Sequence, residues 1–377
     1  MLLAFGVYFF LIAIMLLMSF PINVGRLSIS VIDGVIIKKI FLYSPIVLAS
    51  IILGYRYGVG VDYFSYENLY NSQSYSSIFD SSASEPIFGV IYQLGYLLGL
   101  SFNAVLSLMT LLSFYFIYKS FVYNRRILFW IILLFFLSGQ LFWHLNILRQ
   151  SIALSILIYS VKYIINRKPL YFLFFVFFAS GFHVSSIFFV FAYLARPLRR
   201  LLIYRKLQLL LLLISIVFSK EILDAILSFA VTLMDYTPYS RYGTLIATME
   251  LTSGSGLGMI VKSISDFIII YYVQDLVCFY NNKRFDIYYI IYFFGAIMAN
   301  VFGLNLLLNR IAFLFVSFRF IILAYLLNYL CCNRTFRNKL VILGVLLLFI
   351  GYFIGMILWH NNDCSPFEFV FSIISVQ

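Results

Sequence analysis

Apolar runs of membrane-crossing length, separated by short connections that collect the arginines and lysines, constrain this chain more than any other feature. A helix needs ~20 mostly apolar residues to cross the hydrocarbon core. Runs of about that length recur at 2–24, 103–119, 127–145, 147–166, 207–234, 259–280, 287–306, 311–332 and 340–358, with a shorter one at 40–54. Composition agrees: 64% of the 377 residues are hydrophobic and 11% charged, against roughly 25% charged in a soluble domain. A soluble enzyme, a disordered chain and a small disulfide scaffold are excluded. The expected fold is all-α, a single polytopic transmembrane helical domain over 1–377 with roughly ten to twelve membrane segments.

The net charge of +12 sits in connections rather than on a face. Of the 26 basic residues, 19 fall in six clusters: 26–39, 119–126, 162–168, 196–206, 283–284 and 334–339. Clusters confined to alternate short loops follow the positive-inside rule, so these loops are expected on the cytoplasmic side, where they meet anionic lipid. A nucleic-acid partner would need one continuous basic face and is not expected. The N-terminus is then outside, the first run spans without a cleavable signal, and outer loops fall at about 55–85 and 235–258. An outer tail at 359–377 is expected along the membrane surface. Cys278, Cys331 and Cys332 lie toward the reducing side, and Cys364 stands alone on the other.

Two stretches depart from simple spans. The apolar stretch from Pro86 to Lys119 is too long for one crossing and too short for two; it reads as an interfacial helix at about 87–100 followed by the crossing at 103–119. The run 170–195 has basic flanks at both ends, yet 26 residues cannot cross twice. It is interrupted by Ser180-Gly181-Phe182-His183, as in a re-entrant hairpin or broken helix, which is tolerated at depth only where protein or a wet cavity satisfies the backbone.

Seven basic residues lie outside the cytoplasmic clusters: Arg56, Arg149, Lys220, Arg241, Lys262, Arg310 and Arg319. Five are arginines, the side chain suited to bidentate recognition of phosphate. Lys262 and Asp266, four apart, are expected to pair locally on one helix. Arg149 and Arg310 begin spans on the outer side, Arg56 and Arg241 lie in outer loops, and His183 occupies the interrupted run. His144 and His360 read as structural. No HExxH, CxxC or Asp-x-Asp is present, so a mechanism without metal or cofactor is expected.

These residues stand in an order that resembles a known family. Arg56-Tyr-Gly-Val-Gly-Val-Asp62-Tyr-Phe-Ser-Tyr66 is followed by Glu85-Pro86-Ile-Phe88, then Asn146-Ile-Leu-Arg149-Gln150-Ser-Ile-Ala153, Phe182-His183-Val-Ser185, Arg310 and Pro366-Phe367. The set resembles the EpsG-like branch of the Wzy polysaccharide polymerases, which includes O-antigen polymerases. The resemblance implies a glycosyltransferase of the cytoplasmic (inner) membrane with its site facing the outside or periplasm. Such an enzyme moves a growing glycan from polyprenyl-pyrophosphate onto another lipid-linked oligosaccharide repeat unit. A chain-length regulator protein is a candidate partner. Arg149 and Arg310 are then expected to bind the pyrophosphate, with Arg56 and Arg241 assisting or positioning glycan and Gln150 also binding substrate; His183 is the first choice of catalytic base or a pyrophosphate ligand, and Asp62 the second choice of base. The rival readings are a flippase for the lipid-linked oligosaccharide and a polysaccharide ligase; the charge bias toward one face and the lack of duplicated halves weigh against the flippase.

Overall fold

Helices account for almost all of the structure, as a chain surrounded by lipid requires, because a helix satisfies its backbone polar groups internally. The computed structural model describes residues 1–19, 31–72, 85–235 and 256–371. Five described helices are long and apolar enough to cross a membrane: Phe102–Phe121, Leu148–Ile165, Lys283–Phe302, Leu306–Cys332 and Phe336–Leu358. A further pair, Arg125–Leu137 and Gln140–Asn146, is bent by 60° and forms either a broken span or a re-entrant loop. Gly139 between them has φ +77°, a left-handed conformation that glycine adopts without penalty. Five shorter apolar helices follow the same composition: Leu2–Leu16, Tyr43–Gly54, Pro86–Leu97, Pro169–Ser180 and Val184–Ala195. The protein is an all-α, multi-pass membrane bundle, and the expected segment number draws on these shorter helices as well as the full-length ones.

The chain packs as two compact units, residues 1–187 with 330–377, and residues 188–329. In the first, Leu148–Ile165 packs against both Phe102–Phe121 and Pro169–Ser180. Several described connections of this unit are tied to one another. A two-residue strand, Arg56–Tyr57 (β1), pairs antiparallel with Glu368–Phe369 (β2), and the Gly60 N–H donates to the Asp363 carbonyl at 2.8 Å. Asn146 accepts from the Val61 N–H at 2.6 Å and donates to the Asn362 carbonyl at 3.2 Å. Tyr8 donates to the Cys364 carbonyl at 2.5 Å. Residues 359–371 therefore fold back onto 55–62, where Cys364 and Phe367 are buried. Residues 63–71 of the expected polar loop form the helix Tyr63–Asn71, with Tyr63, Tyr66 and Tyr70 buried.

In the second unit, Lys283–Phe302 is the central helix, packed against Leu306–Val316, Arg205–Val217, Ser219–Asp235 and Leu257–Tyr280. The expected single span at 207–234 is two helices, broken at Phe218. Lys220, Glu221 and Asp224 fall in the opening turns of the second piece, which explains the break in an apolar run. Asp266 does not rely on Lys262. It takes a bidentate pair from Arg319 of another helix, at 2.7 and 2.8 Å, and a hydrogen bond from the Tyr292 hydroxyl at 2.7 Å. Bidentate geometry from a planar guanidinium outcompetes a flexible lysine one turn away. At the other end, Arg199 pairs with the buried Asp286 through Nε at 2.8 Å.

Candidate functional site

The interrupted run at 170–195 is broken as its sequence suggests: Pro169–Ser180 ends, residues 181–183 turn, and a tight 3-10 helix, Val184–Ala195, follows. The turn is held from a distant part of the chain. The Gly181 carbonyl accepts from the N–H groups of Ile87 and Phe88 at 2.9 and 3.3 Å, so it caps the first turn of Pro86–Leu97, whose N–H groups have no partner within their own helix. A Cβ on Gly181 would lie 2.5 Å from the Ile87 side chain, so a larger residue would make that side chain or the turn shift. Pro86 stands in the first turn and Glu85 at the N-cap position, where its side chain makes no capping bond. The carboxylate is thereby left to point elsewhere.

It points at two residues. Glu85 Oε1 lies 2.5 Å from His183 Nδ1, and Oε2 accepts a hydrogen bond from Arg149 Nη1. Glu85, His183 and Arg149 thus form one cluster from three segments, 64 and 98 residues from Glu85. Its members differ in access. The side chains of Glu85 and His183 are 9% and 10% exposed, whereas that of Arg149 is 38% exposed. The Arg149 guanidinium lies over two rings, 5.7 Å from the centre of Tyr66 and 5.4 Å from that of Phe88, contacts that hold a cation in place. Arg149 also opens Leu148–Ile165, and a helix N-terminus favours negative charge. An arginine there is electrostatically adverse unless an anion answers it.

Glu85 is that anion. Burial raises its pKa, but the hydrogen bond with His183 and the Arg149 charge together outweigh burial and hold the carboxyl below the usual carboxylate range. Burial pushes the Tyr66 hydroxyl up, opposed by the charge of Arg149. With Nδ1 turned to the carboxylate, His183 presents Nε2, which is buried and finds no hydrogen-bond partner among the described residues; the Ser185 and Ser186 hydroxyls two and three residues on are in the same condition. Unpaired buried polar atoms are rare and call for a reason.

The other expected site residues are placed differently. Arg56 is 1% exposed and gives its donors to the protein: Nε to the Val59 carbonyl at 2.9 Å, Nη1 to Leu53 at 2.7 Å and Nη2 to Leu145 at 3.2 Å. It braces the loop that β1 begins, with its guanidinium buried against these backbone carbonyls. Asp62 occupies the N-cap position of Tyr63–Asn71, the helix that carries Tyr66 to Arg149, and its carbonyl accepts from the Tyr66 N–H at 3.0 Å. Gln150 is buried beside Arg149 in the chain. Arg310 is exposed in Leu306–Val316 of the second unit. Arg241 lies outside the described residues. His144 stacks on Phe114 with ring centres 5.6 Å apart, and His360 Nδ1 sits 2.7 Å from the Ser365 carbonyl. Among the described residues no three His, Cys, Asp or Glu side chains group to hold a metal ion.

Sequence reasoning missed Glu85 as a site residue. The available signal was a glutamate immediately before a helix-opening proline: its acid is not needed for capping, and the apolar helix that follows leaves it at a boundary.

A multi-pass helical bundle with a polar arginine–carboxylate–histidine cluster at the ends of its helices defines the class as a helical membrane protein. The chain belongs to the EpsG family, whose model matches residues 39–369. That range takes in every segment of the cluster. No curated protein and no solved structure matches the chain.

Proposed function

We propose that this protein is a polysaccharide polymerase that extends a lipid-linked glycan at the outer face of the cytoplasmic membrane. Membership in the EpsG family supports a polymerase-type glycosyltransferase. The single observation that carries the chemistry is the Glu85–His183–Arg149 cluster.

The donor is a growing glycan on polyprenyl-pyrophosphate, and the acceptor is a sugar hydroxyl of another lipid-linked repeat unit. In the transfer, the acceptor oxygen bonds to the anomeric carbon of the donor. The bond from that carbon to the phosphate oxygen breaks, and its electron pair leaves with the pyrophosphate. Arg149 would offer this growing negative charge a positive partner, an interaction stronger in the transition state than in the ground state. The proton released by the acceptor hydroxyl passes to His183 Nε2. Glu85 holds the ring through Nδ1 and stabilises the imidazolium that results, the role a carboxylate has in acid–base dyads. Tyr66 and Phe88 fix the guanidinium plane. Arg310 and Arg241 remain candidates for further contacts to the pyrophosphate or glycan, and Asp62 for positioning through Tyr63–Asn71.

The test uses purified protein in nanodiscs with polyprenyl-pyrophosphate-linked repeat units. A ladder of glycans growing by one repeat at a time supports the reading. Transport of intact lipid-linked units across a vesicle membrane, with no ladder, would replace it with the flippase, and transfer of glycan only to a non-repeat acceptor would replace it with the ligase.

A further inference from the structure

The cluster described above is already electrically closed: the cation expected to receive the pyrophosphate holds a protein carboxylate instead. A diphosphate brought to Arg149 would meet the charge of Glu85 at the same guanidinium, and like charges at that range repel. The three members are not equally able to give way. Glu85 is fixed at the start of Pro86–Leu97, which the Gly181 carbonyl clamps, and the His183 N–H is tied to the Ala179 carbonyl at 3.1 Å. Arg149 is the long, most exposed member, resting on two rings that can keep contact as its hydrogen-bond partner changes.

We propose that Glu85 is a positioning residue that acts as an exchangeable counter-ion, occupying Arg149 until a diphosphate displaces it and then serving His183 alone. This inference rests on the pyrophosphate-donor reading and adds a coupling to it. While Arg149 shares the carboxylate, that carboxylate stabilises an imidazolium weakly. Once Arg149 turns to the diphosphate, the whole negative charge of Glu85 faces the ring, so the base gains strength only when a leaving group is in place. The charges balance through the step. Before the donor binds, Glu85 offsets Arg149; between binding and transfer, Arg149 faces the diphosphate and Glu85 faces the imidazole of His183. After transfer, Glu85 offsets the imidazolium and Arg149 offsets part of the departing pyrophosphate.

The consequence is unusual for a residue that supports catalysis: removing its charge should tighten ligand binding. With the full-length protein in nanodiscs and inorganic pyrophosphate as probe, calorimetry should show Glu85→Gln binding about tenfold more tightly than the unsubstituted protein, because the internal competitor is gone. Arg149→Ala should abolish that binding in either background. In the extension assay Glu85→Gln should lower kcat and KM together, a split that a merely structural role would not give. If Glu85→Gln does not fold, Glu85→Asp decides: its shorter reach should loosen the hold on Arg149 and give a smaller tightening. Folded variants that bind pyrophosphate no more tightly than the parent overturn the proposal. A glycan ladder without tightening removes the counter-ion and leaves the polymerase; tightening without a ladder does the reverse.

Discussion

Arg56 and Arg149 belong to the same unit and the same ordered motif, yet they have opposite surroundings. Arg56 is sealed, and each of its three nitrogens donates to a backbone carbonyl, of Leu53, Val59 and Leu145. Arg149 is more than a third exposed and faces a carboxylate bonded also to a histidine. The first ties a loop to its scaffold; the second presents charge that can change partners. Two arginines that look alike in sequence are separated by burial and by whether the acceptor is a fixed carbonyl or a titratable group.

Substitutions should break this comparison in a graded way. The largest effect is expected at the open cluster: Arg149→Ala and His183→Ala should each lower the extension rate by about 10²–10³-fold, with thermal melting close to the parent, as read by glycan ladders beside melting curves. Arg56→Ala should act first on the fold. Three buried carbonyls lose their donors, so about 3 kcal/mol of stability should be lost, seen as poor recovery of folded protein from membranes.

Two glycines sharpen the contrast at a smaller scale. Gly181→Ala would push on Ile87 and shift the helix that carries Glu85, so about a tenfold loss of rate is expected with a modest change in melting. Gly60 has φ +101°, and a Cβ there would lie 2.9 Å from the Leu145 carbonyl. Gly60→Ala should therefore cost about 1–2 kcal/mol of stability and change rate less. Comparing melting temperature with turnover for the pair reads out which role each turn has.

The smallest effect concerns acid. The Glu85 carboxyl titrates below its ordinary value in the folded protein. Its stabilising contribution is thus complete above the usual carboxylate range and is lost as pH falls through the lower folded value. The difference in melting temperature between the parent and Glu85→Gln should be widest near neutrality and should shrink toward strong acid.

Much of this was legible in the sequence because membrane insertion imposes length and periodicity on the apolar runs. The two helices expected near 87–119 appear at Pro86–Leu97 and Phe102–Phe121, and the break at Gly181–His183 is visible because a small and a polar residue interrupt an otherwise apolar run. The break at Gly139 was not read, since Ser138-Gly139 is a brief interruption within a run long enough to span. Pairings over distance were least legible. Glu85 meets residues 64 and 98 positions away, and Asp266 takes Arg319 from 53 away instead of its helical neighbour Lys262, because tertiary packing sets such partners and local spacing does not.

The most direct test of the site is glycan extension by His183→Ala reconstituted beside the parent protein, with insertion and melting matched. The account predicts a ladder from the parent and single repeat units alone from the variant. A ladder of undiminished length and rate from His183→Ala would contradict it and move the chemistry away from the Glu85 cluster.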